Sequence, residues 1–251
     1  MLLLLALCAQ FALADSLFAC GYYDAARIEY ERGFFFHPEL KHRIEARLNH
    51  ALSLLAVNEI KGIAALSGLV NEFPTLPSEV IREIALQYMR CGRHYLAIAL
   101  LRNTEERRML GLAYLLDDQF IEARDILLLN GDNEIAAEID DFLRQPQKSE
   151  KTALLLSLFL PGAGQVYAAD LQAGFMDFFI NLGAGCLFSN ALRQQKYVDA
   201  SLVFFFLINR FYIGSLNNAQ KAAREYNEKA RQAWRKILID SYFGDLAPQP
   251  E

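Results

Sequence analysis

Cysteine is scarce and poorly placed for chemistry. Cys8, Cys20, Cys91 and Cys186 form no Cys-x-x-Cys or Cys/His spacing, so neither structural zinc nor a dithiol redox centre is indicated. Cys20 and Cys91 each directly precede a glycine at the same place in different repeats, too far apart for a bridge, and both read as buried helix residues. Glycine (14) and proline (7) are few and fall mostly at element boundaries, as a helical architecture requires. No basic domain and no basic-aromatic motif stands out, and the net charge is −5, so nothing points to nucleic acid. Phosphate-cradling glycine loops, Gly-x-Ser-x-Gly, His-Glu-x-x-His and dinucleotide fingerprints are missing. Gly162-Ala163-Gly164 is too short to hold a phosphate. The paired carboxylates Asp117-Asp118 and Asp140-Asp141 sit on solvated helix ends, where a structural role is expected. His37, His42, His50 and His94 are scattered, with no pair at ligand spacing beside a third partner, and read as surface or capping residues. No enzyme, cofactor, metal or small-molecule substrate is therefore expected.

Apolar residues, by contrast, are abundant and uneven. They make up 53% of the 251 residues, with 18 Phe against one Trp. Residues 15–147 resemble an ordinary charged helical domain, whereas 152–216 are far more apolar. The first fourteen residues are almost wholly apolar and end in Ala12-Leu13-Ala14, which fits a signal-peptide cleavage site although no Lys or Arg precedes the run. The alternative is a first helix of the domain that follows.

Residues 15–145 carry an internal period. Gly21-Tyr22-Tyr23-Asp24-Ala25-Ala26 leads to Tyr30 and closes at Pro38; Gly92 leads to Ala97, and Asp118 to Ala123, with a degenerate copy from Asn58 through Ala64 to Pro74. The anchors 21, 58, 92 and 118 lie 37, 34 and 26 residues apart. This resembles tetratricopeptide repeats, whose period is about 34 residues. In that pattern the glycine (Gly21, Gly92) ends the first helix and the alanine (Ala26, Ala97, Ala123) marks the closest approach of the pair. The resemblance implies stacked helix pairs whose concave surface takes a peptide or another protein.

Residues 146–151 read as a polar linker. Thr152 to Leu160 is then a nine-residue apolar run, cut by Pro161-Gly162-Ala163-Gly164-Gln165. It is either a re-entrant half-helix or a kinked full span. Leu171 to Leu192 and Val198 to Leu216 are each long enough to cross a bilayer. With Arg193 and Lys196 between them they predict a hairpin, giving two or three spans in all. A freed backbone is tolerated at membrane depth only when buried or wetted, and Gln165 and Tyr167 could satisfy it. Asp177 on one span and Arg210 on the other share one depth, which predicts an intramembrane polar pair, with Asn181 on the same helical stripe as Asp177. Residues 217–243 read as an amphipathic basic helix, lying on lipid headgroups or packing on the repeats; 244–251 read as a loose tail.

Pro161, Gly162, Gly164, Gln165 and Tyr167, followed by Gly174 and Phe178, then by Phe211-Tyr212-Ile213-Gly214-Ser215, Asn218-Ala219 and Tyr226-Asn227, resemble a poorly characterised group of bacterial envelope proteins. Those carry P-G-x-G-Q-x-Y before a membrane hairpin and F-Y-x-G-x near its end, often behind tetratricopeptide repeats, and some are associated with a membrane-protein insertion efficiency factor. This chain has Ala168 and Ala169 where that group usually has glycine after the tyrosine. The expectation is an all-α protein: a tetratricopeptide-like solenoid followed by a transmembrane helical hairpin. It would sit in the inner membrane of a bacterium with the repeats exported, the repeats binding a protein partner and the hairpin contacting lipid. A scaffold or adaptor is the leading function; a small channel or a membrane-protein insertion factor is the alternative.

Overall fold

A computed structural model describes residues 11–244. It is all-helical, and no strand occurs among the described residues. Two compact units divide the chain: one gathers the residues up to Ile139 with those from Tyr242 on, the other runs Asp140–Ser241. The division falls inside a helix, ahead of the polar stretch expected to be the linker. The expected tail, 244–251, lies almost entirely outside the described residues, as does most of the apolar leader.

The first unit is a succession of short helices: α1 (Ala12–Ala19), α2 (Tyr23–Phe36), α3 (Ile44–Val57), α4 (Glu59–Glu72), α5 (Ser78–Arg90), α6 (His94–Leu101), α7 (Arg107–Leu116), α8 (Phe120–Asn130) and the first part of α9 (Asn133–Arg144). Neighbours pack in pairs, and α1 also meets α3 as α5 meets α7. The core is large and aliphatic: Leu66, Leu69, Ile84, Leu101, Leu112, Leu115, Leu127 and Ile139 are all fully buried. Helix α1 runs through the expected cleavage point. Phe11 and Ala14 are buried against Tyr30 and Phe34, and a Cβ on Gly33 would lie 2.4 Å from the Phe11 ring.

One corner recurs. Gly21, Gly92, Asp118 and Gly131 have left-handed φ (79°, 65°, 59° and 90°) and end helices α1, α5, α7 and α8. In each, the next amide donates to the carbonyl five residues back: Tyr22 to Leu17, Arg93 to Tyr88, Gln119 to Tyr114 and Asp132 to Leu127, at 2.7–2.9 Å. This is the Schellman closure, which satisfies a carbonyl the helix end would leave bare. Five residues after each corner stands a buried alanine, Ala26, Ala97, Ala123 or Ala136. A small side chain there lets the new helix approach the old one.

Two expectations need correcting. Ala64 is exposed, and the close approach falls instead at Gly62, where a Cβ would stand 2.2 Å from the Leu55 backbone. Asn58 both ends α3 and caps α4 by accepting from the Lys61 amide at 3.0 Å, so this corner has no left-handed residue and its register differs. Cys20 and Cys91 are not buried helix residues: Cys20 is exposed and Cys91 half-buried, because each sits at the helix end just before the left-handed glycine.

In the second unit, α10 (Glu150–Phe159), a short α11 (Ala163–Tyr167) and α12 (Leu171–Arg193) lead to α13, which runs unbroken from Tyr197 to Tyr242 with a π-helical segment over Val203–Ile208. No separate amphipathic helix begins at Asn217. No proline interrupts the chain there, and Gly214 is carried within the helix, so the apolar and charged stretches share one rod. Within this unit Trp234 stacks on Phe142, the ring centroids 4.0 Å apart. Leu171–Arg193 and Tyr197–Tyr242 are long and apolar enough to cross a membrane, by length and composition, and only 11% of each apolar window is buried.

Candidate functional site: the broken helix and its polar hub

Pro161 has no N–H and cannot continue α10. In an unbroken helix the Gly162 amide would donate to the Leu158 carbonyl; the break separates them. Both are caught by α13: the Gly162 N–H donates to Ser215 Oγ at 3.2 Å, and the Tyr212 hydroxyl donates to the Leu158 carbonyl at 2.5 Å. Two side chains three residues apart on one helix therefore replace the helical bond that proline disrupts.

Gly162, at φ 92°, turns the chain left-handed into α11. It also lies against α12, for a Cβ there would stand 2.1 Å from the Gly174 carbonyl oxygen. Gly164 is equally confined, a Cβ meeting the Ala153 carbonyl oxygen at 2.1 Å and the Ala219 Cβ at 2.6 Å. Gly174 faces Val166 at 2.6 Å in the same sense. These glycines admit three helices to one crossing, which fixes where Gln165 points.

Gln165 is buried and bonds through both ends of its amide. Its Oε1 accepts from Ser157 Oγ at 3.2 Å, and its Nε2 donates to the Ser215 carbonyl at 3.2 Å and to the Asp177 carboxylate. Ser157 Oγ in turn accepts the Gly164 amide at 2.9 Å. Asn181 donates to the Asp177 backbone carbonyl at 2.8 Å, on its own helix. The expected Asp177–Arg210 pair does not form. Arg210 is exposed, and no hydrogen bond or ion pair joins it to Asp177, because α11 brings the Gln165 amide to the carboxylate first.

The two halves of the motif share the work unequally. Tyr212 and Ser215 bond to the break; Phe211 is exposed, and Gly214 has no atom within 4 Å of a notional Cβ. Tyr167 acts outward: its hydroxyl accepts from the Ser149 amide at 3.2 Å, and its ring lies 4.6 Å from Lys148 Nζ, with Tyr226 on the same ammonium at 5.5 Å. Asn227 pins Lys148 by backbone, accepting at 2.9 Å and donating at 2.8 Å. The Arg224 guanidinium forks onto Glu150 at 3.1 and 2.8 Å and holds that exposed carboxyl below its usual range. Ala169 closes the turn despite lacking the glycine: its φ is 65°, and Asp170 N–H donates to the Gln165 carbonyl at 2.9 Å. Ser157 was the functional residue that sequence reasoning overlooked; its one signal is a hydroxyl inside a run of leucines.

Among the described residues no group of three or more His, Cys, Asp or Glu is placed to hold a metal ion. No family model, curated protein or solved structure matches the chain.

Proposed function

We propose that the protein is a non-enzymatic membrane-anchored scaffold, its tetratricopeptide-like solenoid presenting a surface to a protein partner and its helical hairpin lying in the bilayer. The observation that carries the membrane half is exposure. Helix α12 and the start of α13 leave Phe175, Met176, Phe179, Val198, Phe205 and Phe206 more than half exposed, an arrangement that lipid tolerates and water does not. The Gln165 hub adds support, since a helix break at membrane depth must satisfy its freed backbone inside protein. The succession of short helices in the first unit, closed by left-handed corners over a large aliphatic core, supports the solenoid. The resemblance of the P-G-x-G-Q-x-Y segment to bacterial envelope proteins supports an inner-membrane site with the repeats exported.

Extraction of membranes at alkaline pH tests the anchor: the full chain should stay in the pellet, and release into the supernatant would overturn the reading. Cross-linking in membranes, followed by identification of what is joined to the repeats, tests the scaffold; a chain joined to nothing would count against it. A small channel or insertion factor is the second reading, favoured by the polar side chains Asn181, Ser189 and Asn190 that border one groove beside α12. Ion conductance by the purified protein in planar bilayers would favour it.

A further inference from the structure

We infer that the face of α12 beyond the polar hub holds one anionic phospholipid, an inference that rests on the membrane reading above. A groove of about 640 Å³ runs along this helix. Its deep end is walled by Pro161, Phe178 and Leu182, and its other end by Ser189, Asn190 and Arg193. Gly185 forms the floor between, and a Cβ there would meet nothing within 4 Å, so the groove is open rather than filled by a neighbour.

Length and charge identify the occupant. Fifteen residues separate Phe178 from Arg193, which is about 22 Å along a helix. One leaflet with its headgroups is half of a bilayer roughly 40–45 Å thick, or about the same distance. The groove therefore matches a single lipid: chain toward Phe178 and Leu182, ester region at Ser189, phosphate at Arg193. The cation at the mouth is Arg193, with Lys196 three residues further along the chain. Arg193 and Lys196 form no ion pair among the described residues, and Asp199, the nearest acid in sequence, is bonded to neither. Asn181, the polar side chain at the deep end, has one amide hydrogen on the Asp177 carbonyl, which ties it back to its own helix. A partner's transmembrane helix would fill the same groove but would not require the cationic mouth.

Native mass spectrometry of the full chain released from detergent tests this. The probes are phosphatidylglycerol and phosphatidylcholine of matched acyl chains. One phosphatidylglycerol per chain should be retained in preference to phosphatidylcholine. Arg193→Gln should weaken that retention about five-fold, the effect of one basic residue at a lipid surface. Gly185→Leu should lower retention of both lipids, and Arg210→Gln, outside the groove, should change nothing. Equal retention of the two lipids by the wild type, or an Arg193→Gln variant indistinguishable from it, would overturn the lipid site. Alkaline extraction separates this from the underlying reading: a chain that stays in the membrane without lipid preference loses only the site, whereas a chain that leaves the membrane loses both.

Discussion

The two units turn corners alike and fill them differently. Ala169 and Gln195 are left-handed, Asp170 and Lys196 make the Schellman bond to Gln165 and Ala191, and Gly174 and Ala200 stand buried five residues on. That repeats the corner of Gly21, Gly92, Asp118 and Gly131 in the first unit. Behind the corners the chemistry separates. The first unit buries leucines and isoleucines; the broken-helix region buries Ala153, Ser157, Gly164, Gln165, Ala168, Ser215, Ala219 and Ala223 while its phenylalanines face outward. In water, removal of large apolar surface drives packing. In lipid that drive vanishes between helices, and close approach by small residues with interhelical hydrogen bonds takes its place. The contrast between a common corner and opposite fillings is what the membrane reading explains.

The largest test compares two phenylalanines. Phe11 is 1% exposed and Phe179 is 62% exposed. Phe11→Ala should destabilise the first unit by about 3–5 kcal/mol, while Phe179→Ala should leave thermal unfolding in detergent nearly unchanged. The same pair bears on the leader. Cleavage after Ala14 would remove Phe11, so an inert Phe11→Ala together with a mature N-terminus at Asp15 would show that the helix-α1 packing does not survive processing.

Gly164→Ala should come next, at about 3 kcal/mol, the upper range for overpacking. Its new methyl would collide with the Ala153 backbone and the Ala219 side chain, neither of which can swing aside. A neutral Gly164→Ala in a thermal melt would break the claim that small residues set the second unit's packing. Ser215→Ala should cost about 2 kcal/mol, because the buried Gly162 amide loses its acceptor. Faster hydrogen exchange at Gly162 is the specific signature, and an unchanged rate would mean that the bond is dispensable.

How much of this was legible depended on the kind of signal. Gly92 and Ala97 could be read because a left-handed end and a tight crossing each demand one residue type at a fixed offset. Gly62 could not, since a corner built on the Asn58 side chain shifts the register and leaves a glycine among ordinary helix positions. Gln165 was legible as a polar group beside a helix break. Its partner was not: matching Asp177 to Arg210 by depth assumed two straight antiparallel spans, whereas the short α11 inserts Gln165 beside the carboxylate. Ser157 shows the limit most plainly, for a lone hydroxyl in an apolar run is common, and only the fold reveals the amide it serves.

A pH titration distinguishes the units in a different way. His50 lies in the first unit, edge-on to Phe34 at 5.6 Å and Tyr30 at 6.4 Å, with Glu31 3.5 Å from its Nε2. Burial lowers its pKa from the usual 6.5, outweighing the nearby Glu31 carboxylate that raises it. A depressed pKa means that the unfolded chain takes the proton first, so stability is fully present above about 6.5 and falls as the pH drops through the folded value. His50→Gln should flatten this dependence. Its persistence in the variant would place the titrating group elsewhere.

The smallest expected effect is also the sharpest comparison of the two kinds of corner. Ala169 holds φ 65° and Asp118 holds φ 59°, each closing a Schellman turn. For alanine the left-handed region is disfavoured by about 1–2 kcal/mol, whereas aspartate tolerates it through local hydrogen bonding. Glycine relieves the strain but loosens the unfolded chain, a loss of about 0.4–1 kcal/mol. Ala169→Gly should therefore stabilise the second unit by a net of about 0.5–1 kcal/mol, and Asp118→Gly should be neutral or slightly destabilising in the first. Thermal melts of the two variants give the answer directly. Should Ala169→Gly prove neutral while Asp118→Gly stabilises, backbone strain is not what distinguishes these corners, and the alanine at 169 is held by its surroundings instead.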